Sequence, residues 1–140
     1  MKAVVDTNVV AYFLLETESV RDECERFWRH VEHALAPASW EAEITNVLWM
    51  AVRKKLIDLP EGLRRLDLAR SLGIESVPVS TLWHGALARA ATSGVAAYDA
   101  LFVELAEREG IPLATFDGPL TKAFPRVARP PRALTTGRQK

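Results

Sequence analysis

The sequence is short of three things: cysteine, long apolar runs, and an excess of charge of either sign. Cys24 is the only cysteine, which excludes an intrachain disulfide and a cysteine-based zinc site and is compatible with a reducing cytosol. No stretch approaches the roughly 18 apolar residues that a membrane-spanning helix needs. The apolar run near the N-terminus is short and interrupted by Asp6, so we expect no secretory signal. Together these absences predict a cytoplasmic protein with no membrane partner.

The charges cancel over the whole chain, with 18 basic and 18 acidic residues. A strongly basic protein would attract polyanions through its overall field, whereas binding of nucleic acid by this chain has to rely on local patches. With 140 residues, of which 49% are hydrophobic, the chain fits one globular domain. The segment 126–140 is basic and contains a Pro-Pro pair without a helical period. We therefore assign residues 1–128 to the domain and 129–140 to a basic, flexible tail.

Segments typical of strands alternate with segments typical of helices along the chain. Strands are predicted at residues 2–5, 34–38, 74–79 and 111–115, with a further edge strand near Val127. Helices are predicted up to residue 15, across 19–35, from an N-cap at Ser39 to about 55, across 61–72, from 80 or 81 onwards, and across 96–109. Parallel strands need helical crossovers of this kind. The alternation predicts an α/β fold, a three-layer sandwich with a central parallel sheet of four or five strands flanked by helices.

Four carboxylates stand where these elements begin or end. Asp6 and Asp117 follow predicted strands, and Glu43 and Asp99 lie near the starts of predicted helices. Ligands of open α/β sheets bind beyond the carboxyl ends of the strands. We therefore expect the four side chains to converge at that edge of the sheet, although they are far apart in sequence.

Four unpaired carboxylates close together would repel one another unless a cation neutralised them. Mg²⁺ or Mn²⁺ is the expected ion, because both prefer oxygen ligands. Such an ion activates water and offsets phosphoryl charge, so the acids predict phosphodiester hydrolysis. Thr7, Asn8, Asn46 and Thr115 are polar neighbours of the acids that can orient carboxylates, waters or phosphate. Threonine and asparagine also serve as helix caps and turn residues, and that interpretation of the four residues stays open.

The motifs around these acids resemble those of PIN-domain ribonucleases, and within them the VapC-type toxins of toxin–antitoxin pairs. The similarity runs through four segments in order: VVDTNVVAYFLLE, EITNVL, YDALFVELAEREGIPLAT and TFDGPLTKA. The resemblance places Asp6, Glu43, Asp99 and Asp117 at the family's four catalytic acidic positions. Glu41 competes with Glu43 for the second position, and Glu43 is preferred because the Glu, Ile and Asn-Val-Leu pattern starts there.

The resemblance also implies an activity and partners. It assigns Asp6, Asp99 and Asp117 chiefly to the metal, with Glu43 helping to bind it or to activate the attacking water. Thr115 matches a small hydroxyl position that serves the same site. The implied enzyme is a Mg²⁺- or Mn²⁺-dependent endoribonuclease that forms homodimers and is inhibited by a cognate antitoxin protein. RNA is the implied substrate.

Other functions compete for the same residues. An aspartate-nucleophile phosphatase would carry a second acid where Asn8 stands. A phospho-acceptor module would want adjacent acids after the first strand, whereas Thr7 follows Asp6 and Lys122 lies beyond Asp117. A degenerate PIN module that only binds partners would not need the complete set of acids. Metal-dependent cleavage of RNA is therefore the leading hypothesis.

Overall fold

The computed structural model describes residues 1–136, which form an α/β sandwich around one parallel sheet. Five strands run in the order β3-β2-β1-β4-β5, and every neighbouring pair is parallel. Their bounds are β1 Lys2–Val5, β2 His33–Pro37, β3 Glu75–Val77, β4 Leu113–Ala114 and β5 Ala128–Arg129. The predicted parallel sheet of four or five strands is confirmed, with five.

Eight α-helices and two short 3₁₀ turns connect and cover these strands in the described part of the chain. The helices are α1 Thr7–Leu14, α2 Arg21–His30, α3 Ser39–Arg53, α4 Leu59–Ser71, α5 Trp83–Ser93, α6 Ala97–Glu109, α7 Gly118–Ala123 and α8 Pro131–Thr135. The 3₁₀ turns are Glu18–Val20 and Val79–Thr81. Within residues 1–136, every helix is too short or too polar to span a bilayer.

The order of the strands sets the layers. From β1 the chain moves outward to β2 and then β3, and it returns past β1 to reach β4. Because parallel crossovers are right-handed, α1 to α4 lie on one face and α5 and α6 on the other. The packing agrees: α1 contacts α2, α3 and α4, while α6 contacts β1, β2 and β4. The predicted three-layer arrangement is therefore present.

The central elements are apolar because they are covered on all sides. Ala3, Val4 and Val5 of β1 are completely buried between β2 and β4. Parallel strands covered on both faces are typically continuous runs of this kind. Helix α6 is buried from Ala100 through Leu105 to Ala106, so it is a core helix that reaches the surface only in its first and last turns. That first turn carries Asp99.

Several element bounds differ from the expectations. The helix expected across 19–35 ends at His30, because β2 begins at His33, and the starts of two other helices differ as well. Ser39 is the first residue of α3 and does not cap it, because Ala38 occupies the N-cap position and no side-chain hydrogen bond closes that end. Helix α4 begins two residues before the expected start, since the Asp58 carboxylate accepts the Glu61 backbone N–H at 2.9 Å. The starts of both helices depend on which side chain caps the backbone, and the periodicity of apolar residues does not report this.

The segment after β5 contains a helix that the sequence did not predict. Helix α8 begins with the buried Pro131 and packs against α2. The backbone N–H of Arg132 donates to Glu23 on α2 at 2.8 Å. The expectation of no regular structure after residue 129 is therefore wrong for 131–135. Residues 137–140 lie outside the described residues, and the domain boundary at 128 stays a prediction.

Candidate active site

The candidate site lies at the carboxyl end of the sheet, between β1 and β4. These strands are neighbours, yet the chain leaves β1 in one direction along the sheet and reaches β4 from the other. Such a reversal opens a crevice, and ligands of open α/β sheets bind there. Asp6 directly follows β1, Thr115 directly follows β4, and Asp117 comes two residues later. The topology therefore brings residues from both ends of the sequence to one place.

Asp6 is the most buried of the four acids, with 6% of its surface exposed. It is the N-cap of α1, and its Oδ1 accepts the Thr7 backbone N–H at 2.7 Å. Its Oδ2 accepts the Thr115 hydroxyl at 2.7 Å and the Asn8 side-chain amide at 3.4 Å. Donors at the start of α1 and at the end of β4 thus hold both oxygens of this carboxylate in place.

Thr115 is the residue that joins the two strand ends. It is fully buried, and its hydroxyl donates to Asp6 while accepting the Asp117 backbone N–H at 3.0 Å. Asn8 adds a second link, because its Oδ1 accepts the Phe116 backbone N–H at 3.2 Å. The bonds from Thr115 to Asp6 and from Phe116 to Asn8 each span more than a hundred residues of sequence. The two polar residues therefore set the separation of Asp6 and Asp117.

Asp99 and Asp117 are placed by helix starts and are more exposed than Asp6. Asp117 is the N-cap of α7, and its Oδ1 accepts the Leu120 backbone N–H at 3.1 Å. Asp99 lies in the first turn of α6, where a carboxylate also favours the helix dipole. Both are half-buried. Their side chains border the crevice without being sealed in the core.

The two glutamates on α3 face different surroundings. Glu41 accepts the Ser76 hydroxyl at 2.7 Å, and Ser76 in turn accepts the Trp40 indole N–H at 2.8 Å. Glu43 instead lies close to two of the acids. Its charge raises the pKa of Asp6, and the charge of Asp99 raises the pKa of Glu43. Asn46, one turn further along α3, is exposed and is a member of no side-chain hydrogen bond in residues 1–136. The structure thus brings together Asp6, Glu43, Asp99, Asp117, Thr7, Asn8 and Thr115, and leaves Asn46 at the rim.

The acids raise one another's pKa values. Burial raises the pKa of Asp6 from 3.8 to about 6, the charges of Asp99 and Glu43 add to the rise, and the bonds from Thr115 and Thr7 oppose it. Burial and then the charge of Asp99 raise the pKa of Glu43. Burial and then the charge of Asp117 raise the pKa of Asp99. The charges thus act on one another across the cluster, and protonation of Asp6, Glu43 and Asp99 is favoured where no positive charge is supplied.

Sequence reasoning missed one contributor to this cluster. The hydroxyls of Thr7 and Ser39 both lower the pKa of Glu43 by their proximity. Neither reaches hydrogen-bond geometry, since Thr7 Oγ1, Ser39 Oγ and Glu43 Oε1 are all buried without a partner in the described residues. Ser39 precedes Glu43 by four residues, which is one helical turn, and this spacing was the available signal.

The donor set suits a hard divalent cation. Its members are carboxylate and hydroxyl oxygens, three of which are buried and unpartnered, and no ion pair in residues 1–136 involves any of the four acids. As they stand, no three Asp, Glu, His or Cys side chains in residues 1–136 are close enough to hold one ion together. Mg²⁺ commonly takes one or two carboxylates directly and keeps several waters. The residues present therefore fit that class of ion.

The protein-family model and the related sequences that match this chain point to the same family. The PIN domain model matches residues 3–129. The chain is 31% identical to Ribonuclease VapC3 of Pyrobaculum aerophilum over 136 residues, which covers 93% of this chain and all of the relative. It is 30% identical to Ribonuclease VapC12 of Mycobacterium tuberculosis over 120 residues, covering 86% of this chain and 90% of the relative.

Two solved structures share the fold. The crystal structure of PAE2754 from Pyrobaculum aerophilum aligns with a TM-score of 0.70 at 20% identity, covering 96% of this chain and 87% of that one. The structure of VapBC2 from Rickettsia felis, bound to a DNA fragment from their promoter, aligns with a TM-score of 0.65 at 14% identity, covering 93% and 98%. At these identities the likeness concerns the arrangement of helices and strands.

Proposed function

The chain belongs to the PIN-domain family and within it to the VapC-type ribonucleases, and from this premise we propose that it is a metal-dependent endoribonuclease, the toxin of a toxin–antitoxin pair. The observation that carries the proposal is the set of four linked carboxylates at the switch point of the sheet. A cluster of negative charge without a protein cation is costly to keep for stability alone. It is useful where a divalent ion and a phosphodiester are to be bound.

Asp6, Asp99 and Asp117 would hold Mg²⁺ or Mn²⁺, with Glu43 beside them. When bound, such an ion supplies positive charge that acidifies a water and offsets charge on the phosphoryl oxygens. Thr115 and Asn8 keep the Asp6 carboxylate in one orientation through bonds of 2.7 Å and 3.4 Å. Rigid placement of this kind is what positions reacting groups.

Glu43 is the candidate general base. Its Oε1 is buried and has no partner in the described residues, so a lone pair is free to accept a proton from water. Burial and the charge of Asp99 raise its pKa above the usual value, and a higher pKa makes a carboxylate a stronger base. Glu41, whose carboxylate is bound to Ser76, is not part of this role.

A phospho-acceptor function is less well supported by the geometry of Asp6. Both of its oxygens already accept hydrogen bonds, and 6% of the residue is exposed. A phosphoryl group transferred to either oxygen would have to displace Thr7 or Thr115 from the core. The geometry of Asp6 does not distinguish the nuclease from a PIN module that only binds partners. The cleavage experiment below makes that distinction.

We propose a cognate antitoxin protein and a second copy of this chain as partners, and the cytoplasm as the place of action. For the second copy, the groove between α5 and α6 is the proposed surface. It has a volume of about 700 Å³ and exposes Trp83, Leu87 and Tyr98, and no Asp, Glu, Lys or Arg of residues 1–136 lines it. A patch of this kind suits an identical apolar patch better than RNA. Leu87→Glu should then yield monomers in analytical ultracentrifugation.

The activity is tested with purified protein and end-labelled mixed RNA in Mg²⁺, in Mn²⁺ and in EDTA. Cleavage is expected with either ion and not with EDTA. Asp99→Asn and Glu43→Gln should each lose at least about 100-fold in rate, since they remove members of the site. Glu41→Gln is the matched control, because it makes the same change on the same helix outside the cluster. Equal cleavage by wild type and Asp99→Asn would rule the nuclease out.

A further inference from the structure

A cleft borders the two more exposed acids of the site. It has a volume of about 540 Å³ and lies between the 93–96 connection and α7. Asp99 and Asp117 both line it, one from each side. Small-molecule sites commonly have volumes of about 300–1,000 Å³, so the cleft is large enough for a nucleotide. Whatever occupies it lies directly against the acids.

The walls of this cleft are made largely of small residues. Gly94, Ala96 and Ala123 contribute no long side chain, and Gly94 has a φ of 79° that favours glycine at this turn. No aromatic ring lines the cleft. Bases read by stacking need such a ring. The cleft is therefore suited to the sugar and phosphate of a nucleotide more than to selective contact with its base.

Among residues 1–136, Lys122 supplies the one positive charge in the lining. It is exposed on α7, five residues after Asp117, and no Asp or Glu of residues 1–136 forms an ion pair with it. A cation that borders two carboxylates without pairing with either remains available to an anionic ligand. Phosphate oxygens are strong acceptors for an ammonium group.

On the basis of the proposed function, we propose that this cleft binds the nucleotide next to the scissile phosphodiester, and that Lys122 Nζ contacts its phosphate. The contact is made to the backbone, so it positions the strand without selecting its sequence. Lys122 is thus a substrate-binding residue of the nuclease. Its contribution should be the same for every RNA sequence.

The test uses a fluorescent 12-nucleotide single-stranded RNA of mixed sequence. Cleavage of this RNA is measured with the otherwise wild-type protein. Binding is measured in Mg²⁺ with proteins that also carry Asp6→Asn, so that the RNA stays intact. Lys122→Gln is expected to raise both KM and Kd about five- to tenfold, with kcat within about twofold, and to lower the slope of log Kd against log salt by about 0.7. Lys122→Arg should restore most of the binding.

The matched control is Lys2→Gln, because Lys2 lies at the opposite end of β1 and pairs with Glu109. Ala123→Trp fills the cleft from its wall and should also raise KM. Ala133→Trp, at an exposed position of α8 outside the cleft, should leave KM unchanged. If Lys122→Gln and Lys2→Gln give the same KM, Kd and salt slope, the cleft proposal is wrong and the nuclease stands. If RNA is bound through Lys122 but never cut, the nuclease proposal fails and the cleft stands. If RNA is neither bound nor cut, both fail.

Discussion

Asp6 and Glu104 are equally buried carboxylates with opposite surroundings. Asp6 has 6% of its surface exposed and Glu104 has 7%. The Asp6 oxygens accept bonds only from neutral donors, whereas Glu104 accepts the Nε of Arg89 and the Nε of Arg108, each at 2.7 Å. Burial would raise the pKa of Glu104, but the two guanidinium groups hold it below its usual range. Burial and neighbouring acids raise the pKa of Asp6 to about 6.

This difference separates a carboxylate that stabilises the fold from one for which we propose a chemical role. Glu104 connects α5, which carries Arg89, to α6, which carries Arg108 and Asp99. Gly85 leaves the space that its carboxyl occupies. Nothing in the described protein neutralises Asp6 in the same way. A buried charge without a cation lowers stability, so its presence indicates a ligand that supplies one.

Asp6→Asn offers the largest contrast. The variant should lose at least about 100-fold in RNA cleavage, because a proposed metal ligand becomes a neutral amide. At the same time its free energy of unfolding at pH 8 without metal should rise by about 1–3 kcal/mol, since the uncompensated charge is gone and Asn still caps α1. Cleavage assays and urea denaturation measure the two effects. A variant that is both inactive and less stable would contradict the claim that the Asp6 charge lowers the stability of the fold.

Glu104→Gln should have the reverse effect. The glutamine would leave an acceptor oxygen for one arginine, turn an NH₂ group towards the other and remove the charge that both share. Because both arginines are partly exposed, we expect a loss of about 2 kcal/mol, less than for fully buried ions. Cleavage below the melting temperature should stay within about threefold of wild type. Urea denaturation with the same cleavage assay checks it. Unchanged stability would show that the arginine bonds contribute little.

Gly85→Ala should destabilise through the same pair. The added methyl would collide with the Glu104 carboxyl and displace it from Arg89. A cost of about 1–2 kcal/mol is expected in wild type. In the Glu104→Ala background the collision is absent, so the cost should fall to a few tenths of a kcal/mol. Equal costs in both backgrounds would mean that Gly85 matters for another reason.

The pH dependence of stability gives the smallest and most direct contrast. Asp6 has a raised pKa, so its contribution is present below 3.8 and is lost as pH rises through about 6. Glu104 has a lowered pKa, so its contribution is present above 4.5 and is lost as pH falls through the folded value. The gain from Asp6→Asn should therefore grow between pH 4 and 7, and the loss from Glu104→Gln should shrink below pH 4.5. Denaturation series in metal-free buffer over that range would detect opposite slopes.

Much of the fold and of the acid cluster was accessible from sequence because both rest on local patterns. The apolar run ending at Asp6 and the strand before Thr115 identify strand ends, and parallel topology brings strand ends together. The motif order then points to Glu43 and Asp99. The grouping in the structure matches that expectation, while their catalytic roles stay predictions.

Other features depend on contacts that no local pattern contains. The pairing of Glu104 with Arg89 requires α5 and α6 to be docked, and an isolated Glu within an apolar helix gives no hint of its partner. Helix α8 is short and is held by Pro131 and by the bond from Arg132 to Glu23 on α2. Tertiary packing therefore decides what propensity leaves undetermined.

The hydrogen bond from Thr115 to Asp6 joins residues 109 positions apart, and this has a consequence for synthesis. A chain that has left the ribosome only as far as α6 has β1 but lacks β4, so the Asp6 carboxylate has no Thr115 to orient it and no Asp117 nearby. Contacts of such long range are among the last to form. A growing polypeptide therefore lacks the complete acid cluster until nearly the whole domain has emerged, so the nuclease proposed above should be inactive toward the message being read.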